Sequence, residues 1–350
     1  MTDQRHSDGQ GPATGDTAAA TAPASPQGRG GLSGVNWGVL RKYAVVLVLL
    51  LLVLLFSLVN PQFFSGRNFY NIVTQNTYFI IVAIGLAFVL ISGGIDLSVG
   101  YQMSLVGVIM AMGMTKWGMP VWLALIVGLA LGTFLGLLNG VIVTRLRTFP
   151  LIVTLATSVV FQGVSYMISK AGTYRSYPQS FQDITKLRLL GLPLDVYLTV
   201  VIIIIVSVIF YQTKIGTRVV ALGGNEEALR LAGINTKRFK MLIYTTCGFF
   251  TAIATIVMVS KANSMQSSFG PGTEFTALTA AIVGGVSFLG GEGNIPALVA
   301  GVFVLAVLGN GMQLAGWSSY AQFIVRGIIL LGAVAFDEYQ KSLRLRTKHR

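Results

Sequence analysis

The sequence predicts an all-α polytopic membrane protein with about ten transmembrane helices. Of its 350 residues, 53% are apolar and only 11% are charged, whereas soluble domains carry about 25% charged residues. Apolar stretches of about 20 residues, the length that spans a bilayer core, recur between residues 42 and 337. A bilayer permits helices or closed barrels, and these stretches lack the alternation that a barrel requires. Membrane lipid is therefore the expected surrounding of the chain.

Three regions follow one another along the chain. Residues 1–35 are rich in Gly, Ala, Pro, Ser and Thr and contain almost no large apolar side chains, so we predict a disordered cytoplasmic tail. Residues 36–340 are predicted to form the transmembrane domain, and residues 341–350 a basic cytoplasmic tail. The ten predicted helical spans are 42–59, 70–91, 96–114, 120–144, 150–169, 195–212, 241–260, 274–289, 295–315 and 319–337.

The distribution of Lys and Arg predicts how the chain is oriented. With the N-terminus inside, seventeen of the 25 basic residues fall in inside connections or tails, seven fall outside, and Arg326 alone lies within a span. This asymmetry follows the positive-inside rule and predicts both termini in the cytoplasm. The net charge of +13 is therefore attributed to membrane topology, and nucleic-acid binding is excluded.

The sequence contains no pattern typical of an enzyme. Cys247 is the single cysteine, and the two histidines, His6 and His349, lie in the terminal tails, so no metal site is predicted. No phosphate-binding G-x-x-x-x-G-K-[ST] loop and no H-E-x-x-H helix occurs. No span pairs two carboxylates as a hydrolase requires. We expect neither catalysis nor a cofactor in this chain.

A short internal similarity predicts an inverted repeat. Leu-Asn-Gly at 138–140 resembles Gly-Asn-Gly at 309–311, an offset of 171 residues, and the second and seventh predicted spans begin at the same offset. Two sets of five spans run through the membrane in opposite directions, an arrangement common in transporters.

The largest polar connection, residues 213–240, contains a predicted helix of about two turns. Asn225 is a good N-cap, Glu226 and Glu227 suit the positive end of the first turn, and Gly233 is a natural stop. An exposed apolar face on such a helix requires a partner, unless the helix is a connector that rests on the membrane surface. The apolar side chains of this helix are Ala228, Leu229 and Leu231.

Paired glycines interrupt the predicted spans. Gly93 and Gly94 are expected to end one helix, and Asp96 to cap the next. An acidic residue between apolar spans is a functional candidate, with a purely structural cap as the alternative. We also expect close helix contact or a broken helix at Gly284, Gly285, Gly290 and Gly291. We assign these glycines first to the architecture of the fold and second to gating.

Four segments follow one another in a recognisable order. They are Gly-Gly-Ile-Asp-Leu-Ser-Val-Gly at 93–100, the loop at 223–235, Gly-Gly-Val-Ser-Phe-Leu-Gly-Gly-Glu-Gly at 284–293, and Asn-Gly-Met at 310–312 with Ile-Val-Arg-Gly at 324–327. In this order they resemble the permease subunits of ribose-type ABC importers, a bacterial family. The resemblance covers residues 40–338 and departs at 276–279, where Thr-Ala-Leu-Thr stands in place of an acidic–apolar stretch, and at Phe288 and Leu289 within the third segment.

The resemblance implies a multi-pass protein of the inner membrane that imports a monosaccharide such as a pentose or hexose. It implies a cytoplasmic ATPase that binds ATP and Mg, a periplasmic or lipid-anchored sugar-binding protein, and a second permease copy or paralogue. Alternatives are another cargo, such as an amino acid or a sugar-derived signal, an ion-coupled secondary transporter, and an enzyme acting on lipid-linked sugars. The residues that the resemblance assigns to ATPase coupling are Asn225, Glu226, Glu227, Ala228, Arg230, Leu231 and Gly233.

Polar stripes on the second and fifth spans are candidates for the translocation path. Neutral donors and acceptors beside an aromatic face suit a neutral sugar, and polar contacts between helices are the alternative. Arg326 within the last span requires a partner, for which Glu274 is the nearest candidate in depth. The path candidates are Asn71, Gln75, Asp96, Thr154, Ser158, Phe161, Gln162 and Arg326.

Overall fold

The computed structural model describes residues 37–146 and 148–348, and the side chains of residues 44–146 and 148–339. The predicted tail at 1–35 lies outside these residues. The described chain is mostly helical, which confirms the all-α prediction. Its helices are α1 (Trp37–Val59), α2 (Gly66–Gln75), α3 (Thr77–Ile91), α4 (Val99–Thr115), α5 (Val121–Leu146), α6 (Pro150–Ser169), α7 (Gln179–Lys186), α8 (Leu194–Gln212), α9 (Lys214–Gly224), α10 (Glu226–Leu231), α11 (Thr236–Ala262), α12 (Thr273–Val283), α13 (Ile295–Leu314) and α14 (Ser319–Lys348).

Each of the ten predicted spans contains a helix, and the lengths of these helices differ. Within the described residues, α5, α6, α8, α11, α13 and α14 are long and apolar enough to cross a membrane. α2 and α3 meet at an angle of 43° and count as a seventh crossing if they form one bent span. The apolar part of α1, α4 and α12 are shorter. A multi-pass helical fold is thus confirmed, and the number of ten crossings stays a prediction.

Several predicted boundaries differ from the ends of the helices, and three of them are informative. The third span was expected from residue 96, but α4 begins at Val99 because the preceding segment is non-helical. The eighth span was expected to reach residue 289, but α12 ends at Val283, where Gly285 takes a φ of +82° that other residues rarely adopt. α14 continues to Lys348, into the segment predicted as a tail.

α11 is the central helix, and glycines bring it close to α5. A Cβ on Gly248 would lie 2.3 Å from the Gly132 carbonyl oxygen, and one on Gly136 would lie 2.4 Å from the Tyr244 carbonyl oxygen. Helices in lipid associate through such small residues, because the bilayer supplies no hydrophobic force between them. α3 also packs against α11, and its residues from Ile80 to Ile91 are buried.

The two ends of α11 define the two ends of the molecule. Its N-terminus lies beside α10, at what is here called the α10 end. Its C-terminus lies beside α7, at the α7 end, where the Ser260 hydroxyl donates a hydrogen bond to the Phe181 carbonyl oxygen at 2.8 Å. Four two-residue strands form two antiparallel pairs: β1 (Tyr174–Arg175) with β4 (Ser264–Met265), and β2 (Arg188–Leu189) with β3 (Leu192–Pro193).

Candidate functional site: an exposed loop helix and a polar cavity

α10 is a short helix with clear end signals. The Asn225 side chain accepts a hydrogen bond from the Ala228 amide at 2.9 Å, and Gly233 adopts a φ of +83° just beyond the helix. Both predicted end signals are therefore confirmed. Arg230 bonds to the Glu227 carboxylate at 2.5 Å, and this hydrogen bond lowers the pKa of Glu227 below its usual value.

The two leucines of α10 face in different directions. Leu229 is buried against the core, whereas Leu231 is 78% exposed. The Glu226 carboxylate accepts a hydrogen bond from Lys240 at 2.6 Å, which joins α10 to α11. α10 therefore presents one large apolar side chain beside an exposed ion pair, on a helix that is attached to the central helix of the bundle.

Three glycine-rich segments meet at the α10 end. The Gly291 amide donates a hydrogen bond to the Ile91 carbonyl oxygen, at the end of α3, at 2.8 Å. A Cβ on Gly223 in α9 would lie 2.0 Å from the same oxygen, and a Cβ on Gly290 would lie 2.7 Å from the Gly93 Cα. We call this contact between α3, α9 and the loop before α13 the glycine junction. Backbones can approach this closely only where side chains are absent.

The remaining predicted glycines have separate reasons for their identity. A Cβ on Gly94 would lie 2.7 Å from the Tyr244 hydroxyl oxygen, and one on Gly284 would lie 2.6 Å from the Ala297 carbonyl oxygen. Gly285 has open space around it and is required by its positive φ. These positions therefore serve packing and chain direction.

Asp96 lies in the non-helical segment between α3 and α4 and is completely buried. Its Oδ1 accepts hydrogen bonds from the Ser98 amide at 2.9 Å and the Ser98 hydroxyl at 2.6 Å. The Ser98 hydroxyl in turn accepts from Asn139 at 2.7 Å and Gln102 at 2.8 Å. This network fixes the break before α4, which agrees with the structural alternative for Asp96.

A cavity of about 380 Å³, lined by both apolar and polar side chains, lies among α2, α3, α11, α12, α13 and α14. Gln75 and Arg326, two of the predicted path residues, line it. Its volume falls in the range of about 300–1,000 Å³ that is usual for small-ligand sites. The other polar side chains of its wall are Asn76, Tyr78, Lys261, Thr276, Asn310, Gln313 and Gln322.

A buried ion pair at the edge of this cavity was missed by sequence reasoning. Lys261 donates to the Asp195 carboxylate at 2.6 Å, to the Thr77 hydroxyl at 3.2 Å and to the Thr74 carbonyl oxygen. It thereby joins α8 and α11 to the bend between α2 and α3. The sequence does contain a signal for this pair, because Asp195 and Lys261 each lie at the end of an apolar span. The distribution of basic residues, however, identifies Lys261 only as a charge outside the membrane.

The polar stripe of the fifth span, now α6, faces neighbouring chain segments. The Thr154 hydroxyl accepts from the Leu97 amide at 3.3 Å, and the Gln162 amide donates to the Ser267 carbonyl oxygen at 2.9 Å. Ser158 bonds within its own helix. The stripe thus holds neighbouring non-helical segments against α6 through polar contacts. The predicted path residues that lie outside the cavity wall are Asn71, Asp96, Thr154, Ser158, Phe161 and Gln162.

Glu274, the nearest candidate partner in depth, does not pair with Arg326. Both carboxylate oxygens of Glu274 accept a hydrogen bond from the Gly272 amide at 3.0 Å. A Cβ on Gly100 would lie 2.0 Å from Glu274 Oε2, so this carboxylate faces the start of α4. Arg326 instead faces the cavity, and no ion pair joins the two side chains in the described part of the chain.

Discontinuous helices around a cavity with polar side chains, within a bundle of apolar helices, are typical of membrane transport proteins. The chain belongs to the family described as branched-chain amino acid transport system / permease component, whose model matches residues 68–334. It is therefore a multi-pass permease of the inner membrane.

Several relatives match over most of their length. The ribose import permease protein RbsC of Bacillus subtilis is 36% identical over 302 residues, which cover 86% of this chain and 94% of the relative. RbsC of Haemophilus influenzae is 33% identical over 306 residues, which cover 85% of this chain and 94% of the relative. The L-arabinose transport system permease protein AraH of Escherichia coli is 35% identical over 305 residues, 87% and 92%. No solved structure gives a significant match.

Proposed function

We propose that the chain is the membrane-spanning permease subunit of an ATP-driven importer for a monosaccharide. Relatives named for ribose and arabinose match nearly their whole length, which favours a sugar over an amino acid as cargo. The observation that carries the transport mechanism is α10, an exposed and capped helix held against α11 and next to the glycine junction. A partner that pushes on α10 therefore acts close to the end of α3 and to the loop before α13.

The partner that fits α10 is a cytoplasmic ATPase. In this proposal that subunit, and not this chain, binds ATP and Mg. Leu231 offers an apolar side chain that the partner can bury, and the Glu227–Arg230 pair offers charges around it. Protein interfaces usually have such an apolar centre and a polar rim. In this proposal the α10 end faces the cytoplasm and both termini lie there.

The cavity is the proposed outer part of the translocation path. Gln75, Lys261 and Gln322 lie near the helix ends at the α7 end, the side on which an external sugar-binding protein would deliver cargo. A second copy of the chain, or a paralogue, would complete the path. Closing of the ATPase pair would then shift the glycine junction and alternate the access of the two sides.

Co-purification tests this function. The tagged chain, extracted from its native membranes in mild detergent, is expected to bring with it a stoichiometric ATPase, identified by mass spectrometry. Glu227→Arg and Leu231→Glu are expected to abolish that recovery without lowering expression, since both side chains are exposed. Asp183→Arg on α7, at the opposite end, is the matched control and should retain the ATPase. Repeated purification without an ATPase would contradict the proposal.

A further inference from the structure

The charges of the cavity point to a particular class of cargo. We infer that the cavity takes a sugar that carries an anionic group, a carboxylate or a phosphate, and that Arg326 binds this group. The inference rests on the proposed function for the transport of a sugar. In addition, the anionic group of the sugar, together with its hydroxyl groups, decides which sugar the cavity accepts.

The cavity wall contains two cations and no carboxylate. Lys261 and Arg326 are its charged side chains among the described residues. Lys261 is neutralised by Asp195 at 2.6 Å, through a carboxylate that is itself buried. Arg326 has no such partner, because no ion pair in the described part of the chain includes it. One positive charge in the cavity is therefore left without a counter-ion.

The surroundings of Arg326 offer hydrogen-bonding groups without negative charge. Its Nη2 atom lies near Gly309, where an added Cβ would approach within 3.3 Å. Neutral groups of the wall include the Tyr78 hydroxyl. The Thr276 hydroxyl donates to the Gly272 carbonyl oxygen at 3.3 Å, and the side-chain amides of Asn310 and Asn68 bond to each other at 2.9 Å, so these groups keep only part of their hydrogen-bonding capacity for cargo. Glu274 is two residues from Thr276 but bonds to the Gly272 amide instead.

An unpaired guanidinium favours an anion when cargo enters. A sugar that fills the cavity displaces the water that hydrates Arg326, and an uncompensated charge in a low-dielectric site is unfavourable. The planar guanidinium matches a carboxylate or a phosphate with two parallel hydrogen bonds. The neutral wall then serves the sugar hydroxyls. A cavity of about 380 Å³ leaves room for a monosaccharide with one such group.

Saturation-transfer NMR tests this inference on the chain as it is purified from its native membranes, with any subunit that comes with it, in nanodiscs. The probes are D-glucuronate, D-glucose 6-phosphate and D-glucose. We expect either anionic sugar to bind roughly tenfold more tightly than D-glucose, the effect of about one charge-assisted hydrogen bond. Arg326→Gln should abolish the preference. Arg326→Lys keeps the charge but loses the planar pair of hydrogen-bond donors. This variant should retain part of the preference for the anionic sugars, and it also controls for folding. Arg145→Gln, an exposed arginine outside the cavity, should leave it unchanged.

The same samples separate this inference from the proposed function. Equal binding of D-glucose and the two anionic sugars, or a preference for the anions that survives Arg326→Gln, would overturn the assignment. If the ATPase is present in such a sample, the importer function still stands and only the class of cargo is wrong. If the ATPase is absent while Arg326-dependent anion binding persists, the importer fails and the cavity assignment stands.

Discussion

At the scale of single residues, the Lys261–Asp195 pair stabilises the bend between α2 and α3. Asp195 is 1% exposed, and Thr77 donates a further hydrogen bond to it at 2.6 Å. Breaking a fully buried pair costs about 3–5 kcal/mol, but the Lys261 side chain is one-quarter exposed. We therefore expect Asp195→Asn to lower stability by about 1–3 kcal/mol, measured as the thermal unfolding of the purified protein.

A matched carboxylate controls this experiment. The Asp183 carboxylate accepts a hydrogen bond from the Gln179 side chain at the surface of α7, so Asp183→Asn should change stability by less than about 0.5 kcal/mol. The double variant Asp195→Asn with Lys261→Met should be more stable than the sum of the single effects implies, because the two groups share one interaction. Strict additivity would show that the pair contributes nothing.

Gly223 supplies a sharper prediction, because its neighbour is a control. A Cβ on Gly223 would meet the Ile91 carbonyl oxygen at 2.0 Å and the Gly291 amide nitrogen at 2.5 Å, and both are backbone atoms. Gly223→Ala should therefore separate α9 from α3 and reduce both monodisperse yield and transport. Gly224→Ala has nothing within 4 Å of its Cβ and should behave as the wild type. Equal behaviour of the two variants would reject the glycine junction.

At the scale of elements, α10 depends on its cap. A helix of six residues has few internal hydrogen bonds, so the bond from the Ala228 amide to the Asn225 side chain carries much of its order. Asn225→Ala should lower the stability of α10 by about 1 kcal/mol. Amide hydrogen exchange within 226–231 should become about fivefold faster, whereas Asn225→Asp, which can still cap, should exchange as the wild type. An unchanged rate in Asn225→Ala would show that packing of Leu229 alone holds the helix.

Elements were predictable where a local signal decides them. The cap at Asn225 and the stop at Gly233 act through their own backbone, so the sequence was sufficient to place α10. The breaks before α4 and after α12 were misplaced by three and six residues, since apolar composition continues through the segment that leaves the helix. Hydropathy reports burial in lipid, whereas the end of a helix inside an apolar stretch is set by tertiary contacts such as the hydrogen bond from Asn139 to Ser98.

At the scale of the whole molecule, the class of protein could be predicted and the cavity could not. Span composition and four motifs in order were sufficient for the permease family. The cavity wall combines residues as distant as Gln75 and Arg326, and their meeting depends on how six helices pack. The polar stripe of α6 carries the same local signal as that of α2, but it faces α4 and not the cavity. Periodicity identifies a polar face of a helix without identifying what that face contacts.

Orientation in the membrane is the last prediction, and single cysteines test it. The native Cys247 is completely buried, so the wild-type chain should remain unlabelled by a membrane-impermeant maleimide. Leu190→Cys, at the α7 end and 92% exposed, should label in intact spheroplasts. Lys237→Cys, exposed at the α10 end, should label only after the membrane is opened. The reverse pattern would place α10 outside, where a cytoplasmic ATPase cannot reach it, and would thus reject the importer while leaving the fold intact.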